Sequence, residues 1–277
     1  MIALNIVVAH ALEAKAIISG FNASALSSTH QSLHRFDWQE DIEVSVLVSG
    51  ERAQRAFAGV HYLAGVNAGE RSQATRTLWL NFGVAGHGSL ELGDIVMATK
   101  VNGPMLERAL FPTLIAPWRD SFSACQSVNA PSMSYSDALL DMEASGFVAA
   151  AQDYATTDQF CVVKVVSDNP ANPHDSLDKA TIKRVLQGSE APLFEFLERW
   201  IERHRVLIDQ PPIECPEWPF ATTVSQQRQI DALIHTLVVA HQWTPEQLKH
   251  LSEQSNAKQA IEMLHRHVSA LTLELGG

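Results

Sequence analysis

The sequence has only three cysteines, at positions 125, 161 and 215, and no two of them form a CxxC pair. An odd and widely spaced set fits neither a zinc ribbon nor a disulfide framework, so we expect unpaired thiols in a reducing compartment. We also expect neither a metal nor any other cofactor.

Long hydrophobic runs are lacking as well. No apolar stretch approaches the roughly 18 residues that a membrane-spanning helix needs. The first stretch, MIALNIVVAHALEAKAI, has no basic region and contains Glu13 early, which predicts a strand and a helix rather than a signal peptide. We therefore expect a cytoplasmic protein.

Positive charge is scarce. Lysine and arginine number 20 against 31 aspartates and glutamates, which gives a formal net charge of −11. A chain this acidic is poorly suited to bind nucleic acid or an anionic membrane surface, so we expect a small-molecule partner instead. The 277 residues, of which 46% are hydrophobic, suffice for one large domain or a domain with an appendage.

Short apolar runs of strand length alternate with helix-like segments along the first two hundred residues. The predicted strands are 2–9, 43–48, 77–82, 94–100 and 160–166; the predicted helices are 11–18, 54–63, 135–154 and one or two over 175–205. Residues 101–134 contain four prolines and are expected to be irregular. Apolar strands that alternate with helices indicate an α/β domain, here 1–208, with a mostly parallel sheet covered by helices.

A proline-rich break, DQPPIECPEWP, separates this domain from a tail that we expect to be a helical appendage over 209–277. Helices are predicted over 225–241, 244–252 and 257–273, and TPEQ before the second has a capping-box pattern. The five histidines of the tail have no HExxH spacing, and we expect them on polar faces rather than at a metal: His235, His241, His250, His265 and His267.

Three carboxylates fall where ligands bind in such sheets, which is beyond the carboxyl ends of the strands. They are Glu13, Glu143 and Asp168, and each follows apolar sequence. Each has a structural alternative: Asp168-Asn169-Pro170 suits a turn, and Glu143 suits a helix N-terminus. Together with the glycine-rich stretch NFGVAGHG, they indicate a functional site.

The segments NFGVAGHGSLELGDIVMA, LLDMEASGFVAAA and VVKVVSDN resemble signature segments of the nucleoside phosphorylase superfamily. The closer branch contains the methylthioadenosine/S-adenosylhomocysteine nucleosidases and the purine nucleoside phosphorylases. The resemblance covers roughly residues 1–200. It implies a three-layer α/β sandwich with a mixed central sheet, cleavage of the N-glycosidic bond of a nucleoside, and a homo-oligomer.

The resemblance also implies roles for particular residues. Glu143 would hold the ribose hydroxyls, Asp168 would protonate the leaving purine or hydrogen-bond it, and Glu13 would activate water. The residues that would contact substrate beside them are Met142, Gly83, Val84, Ala85, Gly86 and Ser167. The chemistry agrees, because breaking the C1′–N bond leaves positive charge on the sugar and negative charge on the base, which an acid can relieve. Asp168 must then carry a proton near neutral pH, which apolar surroundings favour.

The sequence departs from the pattern at Val84, where the family usually has serine or threonine, and lacks an arginine in that loop. Arg52 and Arg55 are the nearest candidates for holding phosphate. These differences favour hydrolysis. A phosphorylase that uses inorganic phosphate, or a nucleoside-binding module without turnover, remain open. Residues 125–135 are expected to be the remnant of the base-binding region, and His10, His87 and Lys164 receive no role.

Overall fold

The computed structural model describes most of the chain. The described residues are 2–21, 27–30, 32–70, 76–118, 120–209, 219–223, 226–227, 229–230, 233–234, 237 and 254–274. The chain folds as two compact units, Met1–Ile208 and Asp209–Gly277. In the described residues no helix combines the length and the apolar character needed to cross a membrane.

A nine-stranded sheet forms the centre of the first unit. Its strands are β1 (Ile2–Val8), β2 (Ser27–His30), β3 (Leu33–Asp37), β4 (Ile42–Val48), β5 (Arg76–Gly86), β6 (Ile95–Asn102), β7 (Ser121–Ser127), β8 (Ala138–Asp141) and β9 (Phe160–Asp168). The spatial order is β2-β3-β4-β1-β5-β8-β7-β6-β9, and β9 also pairs with β5. Strands β5, β8, β7, β6 and β9 therefore close into a ring.

The sheet is mixed and its parallel pairings are in the majority, which agrees with the mostly parallel mixed sheet expected from the sequence. Strand β1 is parallel to β4 and β5, β5 to β9, and β7 to β6 and β8. The pairings β2–β3, β3–β4, β5–β8 and β6–β9 are antiparallel. All residues of β1 and β9 are buried, as expected for strands that are covered on both faces.

In the part of the chain that the structure describes, six helices accompany the strands. They are α1 (Ala11–Gly20), α2 (Ala53–Glu70), α3 (Ala144–Ala151), α4 (Lys179–Gly188), α5 (Glu190–Asp209) and α6 (Ala257–Glu274), with a 3-10 turn at His174–Ser176. One buried cluster joins Ile2, Leu4 and Ile6 of β1 to residues of α1, α4 and α5. A second joins Val7 of the same strand to residues of α2 and α3. The period of two along β1 thus sends neighbouring side chains into different cores.

Several predicted elements were wrong in extent. The helix predicted over 135–154 is strand β8, a short turn and then α3. The irregular region 101–134 contains β7, whose alternate residues are buried. Strands β2 and β3 were missed, and the glycine-rich stretch is the end of β5 rather than a loop. In the tail, α6 confirms the helix predicted over 257–273, whereas 244–252 and most of 225–241 lie outside the described residues.

Helices α2 and α3 approach so closely that Gly146 has no room for a side chain. A Cβ atom added to Gly146 would overlap the backbone carbonyl of Ala53, at the first residue of α2. Glycine is therefore required here for close approach rather than for an unusual backbone conformation. The contact brings the turn before α2 next to the turn before α3, where Glu143 lies.

Replacing Gly146 with alanine should lower the free energy of unfolding by about 1–3 kcal/mol, because the two helices must move apart. Gly65→Ala is a matched control on α2, since nothing lies within 4 Å of the added Cβ. It should raise the free energy of unfolding by about 0.5–1 kcal/mol, because glycine loses more chain entropy than alanine on folding. Urea denaturation measures both changes, and equal stabilities would contradict the tight helix contact.

Candidate active site

A cavity of about 520 Å³ lies beyond the carboxyl ends of β1, β5 and β9. This is the edge at which ligands bind in sheets of this type. Its lining comes from five parts of the chain: Ala9, His10, Ala11, Leu12 and Glu13; Glu51; Val84, Ala85 and Gly86; Val128, Pro131, Ser132, Leu140, Asp141, Met142 and Glu143; and Ser167, Asp168, His174, Leu177, Lys179 and Ile182.

Glu13 is buried and is held by backbone amides. Its Oε2 accepts hydrogen bonds from the N–H groups of Ala9 and His10, both at 2.8 Å, and its Oε1 accepts from the N–H of Val84 at 3.1 Å. Pairing of β5 with β1 ends at Asn81, so the Val84 N–H has no strand partner on that side and Glu13 supplies one. A carboxylate has about four acceptor positions. Three are filled, and one on Oε1 is left for a ligand or water.

Two glycines of β5 make room for the carboxylates. A Cβ atom at Gly83 would lie 2.7 Å from Oε1 of Glu13, and one at Gly86 would lie 2.7 Å from Oδ2 of Asp168. Both distances are too short for a real side chain. The glycine-rich stretch therefore serves close packing against acidic groups. The N–H of Val84, a residue that was expected to contact the substrate, instead donates to Glu13.

A β-bulge directs Asp168 towards Gly86. The register of β5 with β9 runs from Ala85↔Val166 to Gly86↔Asp168, which leaves Ser167 as the extra residue. Bulges of this kind re-aim side chains and are frequent beside active sites. Asp168 Oδ1 accepts a hydrogen bond from Ser167 Oγ at 2.6 Å, and Oδ2 accepts one from the Tyr135 hydroxyl at 2.8 Å. Burial and the bond to Asp168 raise the pKa of Tyr135.

Glu143 projects into the cavity from the turn before α3. Its Oε1 accepts a hydrogen bond from the backbone N–H of Arg52 at 2.8 Å. Arg52 has a φ of 87°, which is unusual for a residue with a side chain and presents this N–H to the carboxylate. Burial raises the pKa of Glu143, and the charge of Lys164 opposes that rise.

Asp141, two residues earlier, has a different environment. It forms an ion pair with Lys164 over 2.8 Å, and both side chains are buried. Oδ1 accepts a hydrogen bond from Ser127 Oγ at 2.6 Å, and Oδ2 accepts from the N–H groups of Glu143 and Ala144 at 3.2 and 2.8 Å. Burial works against ionisation of Asp141, but Lys164 and these donors bring its pKa below the usual value.

The helix-capping role considered for Glu143 and the turn role considered for Asp168 belong to neighbouring residues. Asp141, not Glu143, accepts hydrogen bonds from the first amides of α3, and the Glu143 side chain makes no capping bond. Asn169, not Asp168, makes the turn at the end of β9, because its Oδ1 accepts from the N–H groups of Ala171 and Asn172. Glu143 and Asp168 are thereby left available to a ligand.

The two histidines near the carboxyl ends of the strands, His87 and His10, differ in burial and in hydrogen bonding. His87 is buried, and its Nδ1 accepts hydrogen bonds from the N–H groups of Ser89 and Leu90, both at 3.2 Å. Burial lowers its pKa, and its hydrogen bonds are those of a histidine that holds a loop. His10 lines the cavity and lies 3.4 Å from the Glu51 carboxylate, where both side chains are exposed.

A second, polar cavity of about 460 Å³ adjoins the first. It shares Ala9, His10 and Glu51 with the main cavity and adds Gly50, Arg52 and Arg55. Both arginines are exposed. Among the described residues no group of three histidine, cysteine, aspartate or glutamate side chains is placed to hold a metal ion.

The structure brings together eight of the nine predicted site residues around the main cavity: Glu13, Val84, Ala85, Gly86, Met142, Glu143, Ser167 and Asp168. Gly83 packs against Glu13 instead. Part of the expected base-binding remnant, Val128, Pro131 and Ser132, also lines it. Sequence reasoning missed Glu51 and the wall formed by His174, Leu177, Lys179 and Ile182, none of which stands in a motif. It included Tyr135 in the base-binding remnant but did not predict its hydrogen bond to Asp168.

No model of a known family matches the sequence, and no curated protein matches it significantly. Solved structures do match. A variant of the nucleosidase MTAN from Chlamydia trachomatis bound to MTA superposes with a TM-score of 0.54 at 20% identity, over 72% of this chain and 100% of that chain. The chain has the fold of this nucleosidase.

Two further structures share this nucleosidase fold. The methylthioadenosine/S-adenosylhomocysteine nucleosidase of S. pneumoniae, with a transition-state inhibitor, gives a TM-score of 0.53 at 16% identity, over 71% of this chain and 99% of that one. Futalosine hydrolase of Helicobacter pylori gives a TM-score of 0.52 at 15% identity, over 73% of this chain and 97% of that chain. The resemblance seen in the signature segments is confirmed at the level of the fold.

Proposed function

We propose that the protein is a nucleosidase that hydrolyses the N-glycosidic bond of a purine nucleoside or a related N-riboside. One observation carries the proposal: Glu13, Glu143 and Asp168 line a single cavity at the carboxyl ends of the strands. The structural neighbours support it, since they are MTA/SAH nucleosidases and a futalosine hydrolase.

Asp168 is the proposed acid. It would deliver a proton to the departing base, whose negative charge develops as the C1′–N bond breaks. The hydroxyls of Ser167 and Tyr135 fix its two oxygens, and so set the direction in which the proton leaves. The Tyr135 hydroxyl is fixed in turn, because it accepts a hydrogen bond from the His174 N–H at 3.0 Å.

Glu143 is the proposed ribose ligand. Its Oε1 is occupied by the Arg52 N–H, which leaves Oε2 to accept hydrogen bonds from the sugar hydroxyls. In its ionised form it would also stabilise the positive charge that the sugar acquires in the transition state. Glu13 would use its remaining acceptor position to orient and activate the attacking water.

Phosphorolysis is the second candidate, because Arg52 and Arg55 line the polar cavity beside Glu143. Arginine forks are well suited to hold phosphate. Two features weigh against it. Glu51 places a carboxylate in the same cavity, and Val84 stands where a hydroxyl would be needed for a phosphate contact. Hydrolysis therefore has the better support.

A panel of nucleosides, including MTA, SAH, adenosine, inosine and futalosine, tests the proposal. Each is incubated with the protein in phosphate-free buffer and again with inorganic phosphate, and free base is measured. We expect release of base without phosphate. Release that requires phosphate would identify a phosphorylase, and binding measured by calorimetry without any release would identify a binding module.

We also propose that residues 1–208 carry this activity, in the three-layer arrangement that the resemblance implies, and that 209–277 form a separate helical appendage. The division of the chain into two compact units after Ile208 supports the boundary. The coverage of the structural neighbours agrees, because they are matched almost completely while part of this chain has no counterpart in them.

A further inference from the structure

Lys164 is the one lysine or arginine among the described residues whose side chain is buried, at 1% exposure. It lies on β9, four residues before Asp168, and its register partners are Gly83 of β5 and Val96 of β6. Its ammonium group contacts Asp141 at 2.8 Å. The proposed reaction makes no direct use of this pair.

Stability alone gives a weak reason for such a pair. Removing two charges from water costs free energy that their attraction often fails to recover, and apolar replacements of buried pairs are frequently neutral or stabilising. The pair therefore calls for another explanation. Its position suggests one, because Asp141 lies two residues from Glu143 and both line the cavity.

Asp141 holds the turn that carries Met142 and Glu143. Its Oδ2 accepts the N–H groups of Glu143 and Ala144, and its Oδ1 accepts the Ser127 hydroxyl. Ser127 Oγ in turn accepts a hydrogen bond from the N–H of Ser145 at 2.8 Å. The backbone N–H groups of Glu143 and Ala144 are thus both bound by Asp141, and Lys164 contacts the same carboxylate.

Charges of both signs act on Glu143. Burial disfavours its ionised form, and the neighbouring carboxylates Asp141 and Glu13 act in the same direction. Lys164 is the positive charge that opposes them. The ammonium itself stays charged, because the attraction of Asp141 and Glu143 more than offsets its burial and raises its pKa.

We propose that the Lys164–Asp141 pair is a positioning device for Glu143: Asp141 orients the turn, and Lys164 keeps Glu143 an anion able to bind the sugar. The inference rests on the proposed function, which gives Glu143 its role as sugar ligand. The expected effect of the pair on the pKa of Glu143 can be measured without any turnover. Lys164 and Asp141 are positioning residues in this scheme, since they act through Glu143.

The direction of each effect follows from charge. Removing the positive charge of Lys164 should raise the pKa of Glu143 further, because Lys164 is the charge that lowers it. Removing the negative charge of Asp141 as well gives a smaller rise, because Lys164 acts on Glu143 more strongly than Asp141 does. A carboxylate loses its negative charge as pH falls through its pKa. If catalysis needs that charge, a raised pKa moves the acid limb of the kcat/KM profile to higher pH.

The test is a ¹³C NMR titration of protein labelled at glutamate carboxyl carbons, with the Glu143 signal assigned by its loss in Glu143→Gln. The variants are Lys164→Arg, Lys164→Met and the double variant Lys164→Met/Asp141→Asn, which leaves no uncompensated buried charge if Lys164→Met fails to fold. Lys183→Met, exposed on α4, is the matched control.

We expect the midpoint of Glu143 to be unchanged in Lys164→Arg and Lys183→Met, higher in the double variant, and highest in Lys164→Met. The acid limb of kcat/KM should move by the same amount. An unshifted Glu143 midpoint in a folded double variant, whose circular dichroism matches that of the parent, would overturn the inference. The titration needs no turnover, so failure of the parent protein to release any base would count against the proposed function only.

Discussion

Replacing Asp168 with asparagine should reduce kcat for base release by about 10²–10⁴-fold at neutral pH, the usual contribution of general acid–base help. Asparagine keeps the shape of the side chain and an oxygen that can accept from Ser167 or Tyr135. It has no proton acidic enough for transfer to the base. The loss should therefore appear in turnover, while the cavity and the fold are retained.

The measurement is free base released over time, with nucleoside affinity determined by calorimetry on the same preparation. Affinity should stay within a few-fold of the parent, because Asp168 acts mainly in the transition state. Asp37→Asn, exposed on β3, is the control and should be fully active. An Asp168→Asn protein with parental kcat would end the assignment of Asp168 as the acid.

Replacing Glu143 with glutamine should lower kcat/KM by about a hundredfold, since a hydrogen bond to a charged group contributes roughly 1.5–3 kcal/mol. Glutamine keeps an oxygen for the Arg52 N–H but loses the negative charge that faces the sugar. Both substrate binding and stabilisation of the cationic sugar should weaken. KM should rise while kcat falls.

The 2′-deoxy form of the preferred substrate isolates the contact. If Glu143 binds the hydroxyls, the deoxynucleoside has already lost part of that interaction, and Glu143→Gln should cost it less than it costs the ribonucleoside. Glu107→Gln, an exposed glutamate before β7, is the control for charge removal. Equal losses of kcat/KM for the two substrates would show that Glu143 does not bind the sugar hydroxyl.

The parts of the fold that sequence predicts well are those with strong local patterns. Strands β1, β4 and β9 are largely apolar runs, and the ends of β1 and β9 place Glu13 and Asp168 at one edge without any tertiary information. The signature segment around Met142 and Glu143 added the third carboxylate. These features suffice to locate the cavity.

The remainder depends on contacts between distant segments. The tract before Glu143 has helical composition, yet it becomes β8 because it pairs with β7, and α3 begins only where Asp141 accepts its first amides. Tyr135 reaches Asp168 from a loop 33 residues away. The partner of Lys164 is 23 positions earlier in the chain, and no spacing rule connects them.

The closure of β9 onto β5 has a consequence for access to the site. Strands in the ring β5-β8-β7-β6-β9 have neighbours on both sides, so none of them can slide or peel away without breaking a ladder of main-chain bonds. The strands beneath Asp168 and Glu143 therefore form a closed ring. We expect any opening of the cavity to involve the segments that border it outside this ring, 128–137 and 169–182.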